Sequence, residues 1–377
     1  MKRRKILFLV TEDWFFRSHF LALAERALND GWDVAVATKL SGALDNMSGV
    51  RLIEMPFARG SLKPWDVGRQ VWALRSLLDD ERPDVVHAIA LKPIALLLLA
   101  GRTGFGRVLA ITGRGYVAVS RSPWAKTVSW RLRRMIRRAL KKPQTVLLVE
   151  NGADRAWVES GRTVPDAQVV TMPGAGVDLE RFIPAPEPSS KTIVVGLVAR
   201  LIWSKGVDLA IDAVDHLRKN GVDIVLHIAG AADPENPEHV SAADLDKWRS
   251  IDGVTMLGSV TDVSAFWAGT HIACLPSRGG EGLPRALIEA AACARPTVTT
   301  NVPGCADFVR DGETGLVVPP GASFAIAGAL QRLAADKALR SRMGAQARAL
   351  VETSYTIRHA SDQAAKAWSL GVSRQVR

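Results

Sequence analysis

Short apolar runs rich in Val, Ile and Leu alternate along the chain with stretches whose apolar positions recur at helical spacing. The runs at 5–10, 33–38, 50–55, 84–89, 107–111, 145–149 and 168–171 predict strands, and the rhythm restarts at 192–199, 222–229, 254–257, 271–275, 297–300 and 315–318. Helical periodicity fills most intervals, as over 18–30, 64–80, 206–219 and 284–294. Alternation of this kind predicts parallel sheets covered by helices on both faces. Runs such as ILFLV, TIVVGLV and DIVLHIAG are continuously apolar, as strands buried on both sides are. A Pro- and Ser-rich segment, IPAPEPSSK at 183–191, separates the two series. The expectation is an α/β protein of two doubly wound, Rossmann-like domains: an N-terminal domain over 1–182, a linker over 183–191 and a C-terminal domain over 192–355. The tail, 356–377, is expected to be a helix that packs back on the N-terminal domain.

Ligands of open parallel sheets bind beyond the carboxyl ends of the strands. That rule selects the loops 11–19, 87–93, 112–116, 200–206, 276–283 and 300–304. Composition narrows the class further. Apolar residues make up 47% and charged residues 23%, which excludes a disordered, collagenous or coiled-coil chain. Cys274, Cys293 and Cys305 have neither CxxC spacing nor nearby histidine pairs, so a disulfide scaffold and a structural zinc are not expected, and the thiols suggest a reducing compartment. The start, MKRRKILFLVTED, reads as a first strand and not as a signal peptide. PIALLLLAG at 93–101 is too short to cross ~30 Å of hydrocarbon.

The net charge of +11 is uneven. Residues 1–190 hold 29 Lys/Arg against 19 Asp/Glu, a net of +10, and 191–377 hold 20 against 19. From Val85 to Val149 there are 13 basic residues and no acid. Such a field attracts phosphate, whether of nucleic acid, anionic lipid or a phosphorylated substrate. Ser122-Pro123 reads as an N-cap with Pro at the first helical position, and Pro143 ends the helix. Val128, Leu132, Met135, Ile136, Ala139 and Leu140 form one helical stripe. Arg131, Arg133, Arg134, Arg137, Arg138, Lys141 and Lys142 fill the remainder, with Trp124 and Trp130 nearby. Two readings fit: a helix lying in a membrane interface through Trp130, Arg133, Arg134, Arg137 and Arg138, or a surface helix whose stripe packs on its own domain.

Two motifs carry chemistry. ARLIWSKG at 199–206 places Arg200 and Lys205 after a strand and before a helix, a combination suited to a diphosphate. PSRGGEGLPRALIEAAACARP at 276–296 follows another strand. Its glycines let backbone approach a ligand, and Pro284 suits a first helical position, so amides near Gly282 and Leu283 would point at an anion. Glu281 and Glu289 lie eight residues apart, and Glu289 sits among apolar residues. A carboxylate there can accept both hydroxyls of a ribose, and one at Glu281 the hydroxyls of a sugar. Asp244 and Asp246 form a D-x-D, but within a helical stretch, and are set aside as metal ligands. No P-loop is present, and no complete GxGxxG follows a strand.

EGLPRALIEA, ARLIWSKG and NVPGCADFVRDGETGLVVPP together resemble the C-terminal half of glycosyltransferase family 4, retaining and metal-independent enzymes of GT-B architecture. GAGVDLERF at 174–182 resembles the family's inter-domain segment, without its usual Asn. PDVVHAIALKP and ITGRGYV resemble a bacterial subgroup that elongates polyprenyl-diphosphate-linked saccharides. The resemblance implies that Arg200 and Lys205 bind the donor diphosphate, that Glu289 holds the ribose, and that Glu281 contacts the donor sugar beside Gly282 and Leu283. It puts the base near Gly258 and Val260, His87 near the reacting sugar, and Arg17, His19, Lys92 and Arg114 towards the acceptor. Glu281, His87, Arg200 and Lys205 are the implied catalytic set. Two departures stand out: SRGGEG has one residue more before its glutamate than is common, and Arg114 replaces an apolar residue.

The expected function is transfer of a hexose or N-acetylhexosamine from a nucleotide sugar, UDP-linked, to a lipid-linked saccharide in surface polysaccharide or glycoconjugate synthesis. No cofactor or metal is expected, and no nucleic acid partner. The expected location is the cytoplasm, peripherally on the cytoplasmic face of the inner (plasma) membrane. Two rivals are a non-hydrolysing UDP-sugar epimerase of similar architecture and a basic nucleic-acid-binding protein.

Overall fold

A computed structural model describes residues 3–45, 47–58, 60–61, 63–115, 120 and 122–373. The chain divides into two compact units, one of residues 1–175 with 357–377 and one of 176–356. All paired strands named below run parallel.

In the first unit the strands are β1 (Lys5–Glu12), β2 (Asp33–Lys39), β3 (Val50–Glu54), β4 (Val85–Ile89), β5 (Gly106–Ile111), β6 (Thr145–Val149) and β7 (Val169–Thr171). They form a seven-stranded sheet in the order β3-β2-β1-β4-β5-β6-β7. Successive residues of a strand point to opposite faces. Leu7 and Leu9 therefore enter one core with Val86, Ala88, Leu109 and Leu147, while Ile6, Phe8 and Val10 enter the other with Val85, Val108 and Val146. The helices Pro64–Glu81, Leu91–Ala100 and Pro123–Ala139 cover the first core. The helix Ile357–Ser373 closes the second, burying Ala360, Ala364, Ala367 and Trp368. This helix lies so close to β5 that a Cβ on Gly106 would meet backbone of Gly371 at 2.8 Å.

In the second unit β8 (Ile193–Val198), β9 (Ile224–Ala229), β10 (Val254–Gly258), β11 (Ile272–Leu275), β12 (Thr297–Thr300) and β13 (Gly315–Val318) form a six-stranded sheet, ordered β10-β9-β8-β11-β12-β13. Chain order reverses between β8 and β11, so the crevice at this switch point lies between the loops that follow those two strands.

The expected linker is not a free spacer. Residues 176–182 pack in the second unit, where Val177 and Phe182 are buried. Segment 183–191 is strapped to the same unit: Arg340 donates to both oxygens of Glu187 at 2.9 and 3.0 Å, and Arg295 Nη2 donates to the Pro186 carbonyl at 3.1 Å. The three cysteines are free and buried. No helix among the described residues is long and apolar enough to cross a membrane.

Candidate active site

In the second unit the sequence brings Arg200 and Lys205 to the end of β8 and Glu281 to the loop after β11. The short 3-10 turn Trp203–Lys205 and Gly206 lead into the helix Val207–Lys219. Gly206 has φ +68, and a Cβ there would stand 2.0 Å from the Pro276 carbonyl oxygen. Only glycine lets the two loops touch. Lys205 Nζ then donates to both oxygens of Glu281, at 2.8 and 2.7 Å, and Ser277 Oγ donates to Glu281 Oε1 at 2.7 Å. A second close approach holds the other side of the loop. A Cβ on Gly304, whose φ is +83, would lie 1.8 Å from the Gly282 carbonyl oxygen.

Arg278 is a residue that sequence reasoning missed. Its guanidinium donates to both oxygens of Asp208, at 2.7 and 2.6 Å, and to the Trp203 carbonyl at 2.7 Å. It fastens the glycine loop to the start of the next helix. Arg200 is also paired, to Asp233 at 2.5 Å. Neither partner sits in a recognisable motif. Pro284 is the N-cap of the helix Arg285–Ala292, one position earlier than expected. Gly282 and Leu283, which precede it, are buried.

Glu289 is buried, forms an ion pair with Arg285 at 2.7 Å, and has its carboxyl pushed above the usual range by burial, against the pull of Arg285 and Arg181. At the end of β10 the Gly258 carbonyl accepts from Gly230 N at 2.7 Å, and Val260 is half-buried. Asp244 and Asp246 lie on the helix Ala242–Arg249, where Asp244 meets the capping Ser241 and Asp246 pairs with Arg249.

In the first unit Arg17 and His19, Lys92 and Arg114 follow β1, β4 and β5, three neighbouring strands, whereas His87 lies within β4. His87 does not stand beside any loop. It is fully buried at the middle of β4, with Phe8 and Trp368 packed on it. Trp368 Nε1 donates to His87 Nδ1 at 3.1 Å, and His87 Nε2 has no partner among the described residues. Burial lowers its pKa to about 3. The expectation that it lies near a reacting sugar is therefore corrected: His87 is a core residue of the face closed by the C-terminal helix. Lys92 Nζ donates to the carbonyls of Ala58 and of Ser61, the latter at 2.9 Å, which ties the loop before Pro64 to the helix after β4. Burial lowers its pKa. Arg17 is exposed in the last turn of Asp13–His19, and Ser18 Oγ lies 2.6 Å from His19 Nδ1.

Arg114 follows β5, and its Nε donates to Asp154 Oδ1 at 2.9 Å. Burial raises the Asp154 carboxyl to about 6, although Arg114, Asn151 and the Gly113 amide favour its charged form. Tyr116 and Val117 of the ITGRGYV string lie outside the described residues.

On the helix Pro123–Ala139 the apolar stripe is used internally, with Leu132, Ile136 and Ala139 buried. Arg133 and Arg137 are half-buried. Arg134 and Arg138 are exposed, as are Trp124 and Trp130, and Arg134 lies over the Trp130 ring at 5.8 Å. The face left to solvent is thus basic and tryptophan-bearing, without the stripe.

Comparison with known proteins agrees with this layout. Residues 192–336 match the family model described as "Glycosyl transferases group 1", and residues 5–150 match "Glycosyl transferase 4-like". The chain is 30% identical over 163 residues to the capsular polysaccharide biosynthesis glycosyltransferase CapM of Staphylococcus aureus, covering 43% of this chain and 42% of that protein. Three curated relatives, CapM among them, are matched over less than half of their own length. A longer match, 24% identical and covering 71% of this chain and 72% of the relative, is to the N,N'-diacetylbacillosaminyl-diphospho-undecaprenol alpha-1,3-N-acetylgalactosaminyltransferase of Campylobacter jejuni. In fold, the chain superposes on Anabaena HepE, solved with UDP and glucose, with a TM-score of 0.76 at 17% identity, covering 97% of this chain and 100% of that one.

Proposed function

The chain belongs to the family 4 glycosyltransferases of GT-B fold, and on that premise we propose that it moves a hexose or N-acetylhexosamine, with retention, from a UDP-sugar to a polyprenyl-diphosphate-linked saccharide. The observation that carries this reading is the meeting of Lys205 and Glu281 at the switch point of the second sheet, beside Arg200.

The chemical difficulty of the reaction is negative charge growing on the leaving nucleoside diphosphate. Arg200 and Lys205, placed before reaction, stabilise that charge. Glu281 contacts the sugar while orienting Lys205. Glu289, held by Arg285, accepts the ribose hydroxyls. The acceptor hydroxyl attacks from the face the leaving group vacates, and the departing phosphate takes its proton, so no side-chain base is assigned. His87, buried and neutral, takes no part.

The lipid-linked acceptor is supported by the basic balance of residues 1–190 and by the Campylobacter relative, whose name specifies a diphospho-undecaprenol acceptor. Peripheral association with the cytoplasmic face of the membrane is supported by the helices on one face of the first sheet. Pro64–Glu81 exposes Trp65 and Trp72, Leu91–Ala100 exposes Leu99, and Pro123–Ala139 exposes Trp124 and Trp130 beside its arginines. Tryptophans of this kind settle at headgroup level while arginines meet anionic lipid.

The test is a panel of UDP- and GDP-sugars, read by thermal stabilisation and slow donor hydrolysis, followed by transfer to a polyprenyl-diphosphate saccharide. UDP-sugars should stabilise the protein, and Glu289→Ala should weaken nucleotide binding about tenfold, the loss of one charge-assisted contact. Conversion of donor alone into an epimer would favour the epimerase reading. No stabilisation by any nucleotide sugar would overturn both.

A further inference from the structure

The loops after β5 and β6 carry a constellation that the donor chemistry leaves unused. Asn151 caps the helix Gly152–Glu159, its Oδ1 accepting from Asp154 N at 2.8 Å. An acid three residues past a cap ordinarily turns back on its own helix. Asp154 reaches the neighbouring loop as well, and accepts from Arg114 Nε at 2.9 Å and from the Gly113 amide. Asn151 Nδ2 donates to its second oxygen at 3.1 Å. The carboxylate accepts on both oxygens and is almost fully buried, with side-chain exposure of 1%.

Arg114 is different. Its side chain is 22% exposed, and it spends only Nε on Asp154. Among the described residues its two terminal nitrogens have no hydrogen-bond partner, while the guanidinium carbon lies 6.0 Å from the Trp157 ring centre. The carboxylate holds the guanidinium by Nε, with the Trp157 ring beside it. Among the described residues the outer edge, which matches two phosphate oxygens, is left open. A purely structural pair at this depth is poorly explained, since two apolar side chains would fill the space without desolvating charge. The place is also apt, beyond the carboxyl ends of two adjacent parallel strands.

We infer that Asp154 is a positioning residue that aims the Arg114 guanidinium at a phosphate or diphosphate oxyanion. The inference rests on the acceptor reading above, in which the acceptor carries a diphosphate in the first unit. Asp154 touches no ligand itself. It acts by holding Nε, so that Arg114 meets the anion with both terminal nitrogens and without ordering its side chain on binding.

The experiment is calorimetry on the full chain with the donor site filled by saturating UDP. Inorganic pyrophosphate and orthophosphate are titrated separately, which distinguishes a diphosphate from a single phosphate. Pyrophosphate is expected to bind alongside UDP. Arg114→Met should abolish that binding. Asp154→Asn, which keeps Arg114, should weaken it about tenfold. In transfer assays Asp154→Asn should raise the acceptor KM while leaving the donor KM unchanged, a split that general destabilisation does not give. If Asp154→Asn does not fold, Arg114→Met decides alone. Undiminished pyrophosphate binding in a folded Arg114→Met or Asp154→Asn protein overturns the inference. So does UDP binding with neither anion bound. Failure of UDP itself to bind would instead strike the donor reading, and the pyrophosphate titration would still be read on its own.

Discussion

Lys205 and Glu281, 76 residues apart in sequence, meet through both carboxylate oxygens at 2.8 and 2.7 Å. The cation nominated for the diphosphate is therefore already neutralised, with its partner's side chain only 10% exposed. An arriving diphosphate must share Lys205 with Glu281. Two variants separate the roles. Lys205→Ala should lower turnover by about 10²–10³, the usual loss when one preset charge donor is removed. Glu281→Gln should lower turnover while leaving UDP affinity equal or higher, because Lys205 is released. Calorimetry with UDP and initial rates with the best donor check both. Weaker UDP binding in Glu281→Gln than in Lys205→Ala would reject this division.

The loop that carries Glu281 owes its place to Gly304. Its Cβ would sit 1.8 Å from a backbone oxygen that cannot yield cheaply, whereas Gly312, also at positive φ, has nothing within 4 Å. Gly312→Ala should therefore cost only the left-handed backbone strain, about 1–2 kcal/mol. Gly304→Ala should cost more than that and also weaken UDP binding, since the loop must move. Urea unfolding of the two variants, with calorimetry on whichever folds, compares them. Equal losses would mean that the close approach does not position the loop.

Every strand was legible: short Val- and Ile-rich runs such as ILFLV and TIVVGLV suit central strands buried on both faces, and the edge strands β3 and β10 keep exposed positions. The helix Leu91–Ala100 was not. LKPIALLLLA has no helical period, since the helix is buried on most sides, and its N-cap is Ala90 at φ +74, which gives no capping signal. The motifs placed Arg200 and Lys205 in the loop after β8 and Glu281 in the loop after β11, where the structure has them. Their pairing was invisible, because Asp233, which Arg200 meets, comes from another loop and Lys205 and Glu281 stand 76 residues apart, so each pair is chosen by the fold. His87 was misjudged for a related reason. Nearness to a strand end does not decide which way a side chain points, whereas alternation does. Val86 and Ala88 face one core, so His87 faces the other, where Trp368 waits 281 residues away.

His87 gives a pH test. Its folded pKa of about 3 lies below the ordinary 6.5, because burial disfavours the imidazolium. The unfolded chain thus binds a proton near pH 6.5 while the folded one resists it. The contribution to stability is fully present above 6.5 and is lost as pH falls towards 3. Asp154, raised to about 6, shifts stability in the opposite sense as pH falls. Comparing the wild type with His87→Gln cancels that effect. Between pH 7 and 4.5 the wild type should lose roughly 2–3 kcal/mol more than His87→Gln. Turnover of the variant at neutral pH should match the wild type. A loss of turnover with unchanged stability would restore a chemical role for His87.

The strap at 183–191 makes the last claim testable. Arg340 is 5% exposed and spends two nitrogens on Glu187, which is 14% exposed, while Nη1 donates to the Leu333 and Ala334 carbonyls. Glu187→Ala strands a buried guanidinium, which should cost about 3–5 kcal/mol. Removing both charges in Glu187→Ala/Arg340→Met should recover most of that loss, because the desolvated charge is gone. UDP binding should persist in the double variant, as neither residue belongs to the loops around Lys205. Urea unfolding of the single and double variants measures the coupling. Additive losses would mean that segment 183–191 only passes over the unit, and that its hold comes from elsewhere.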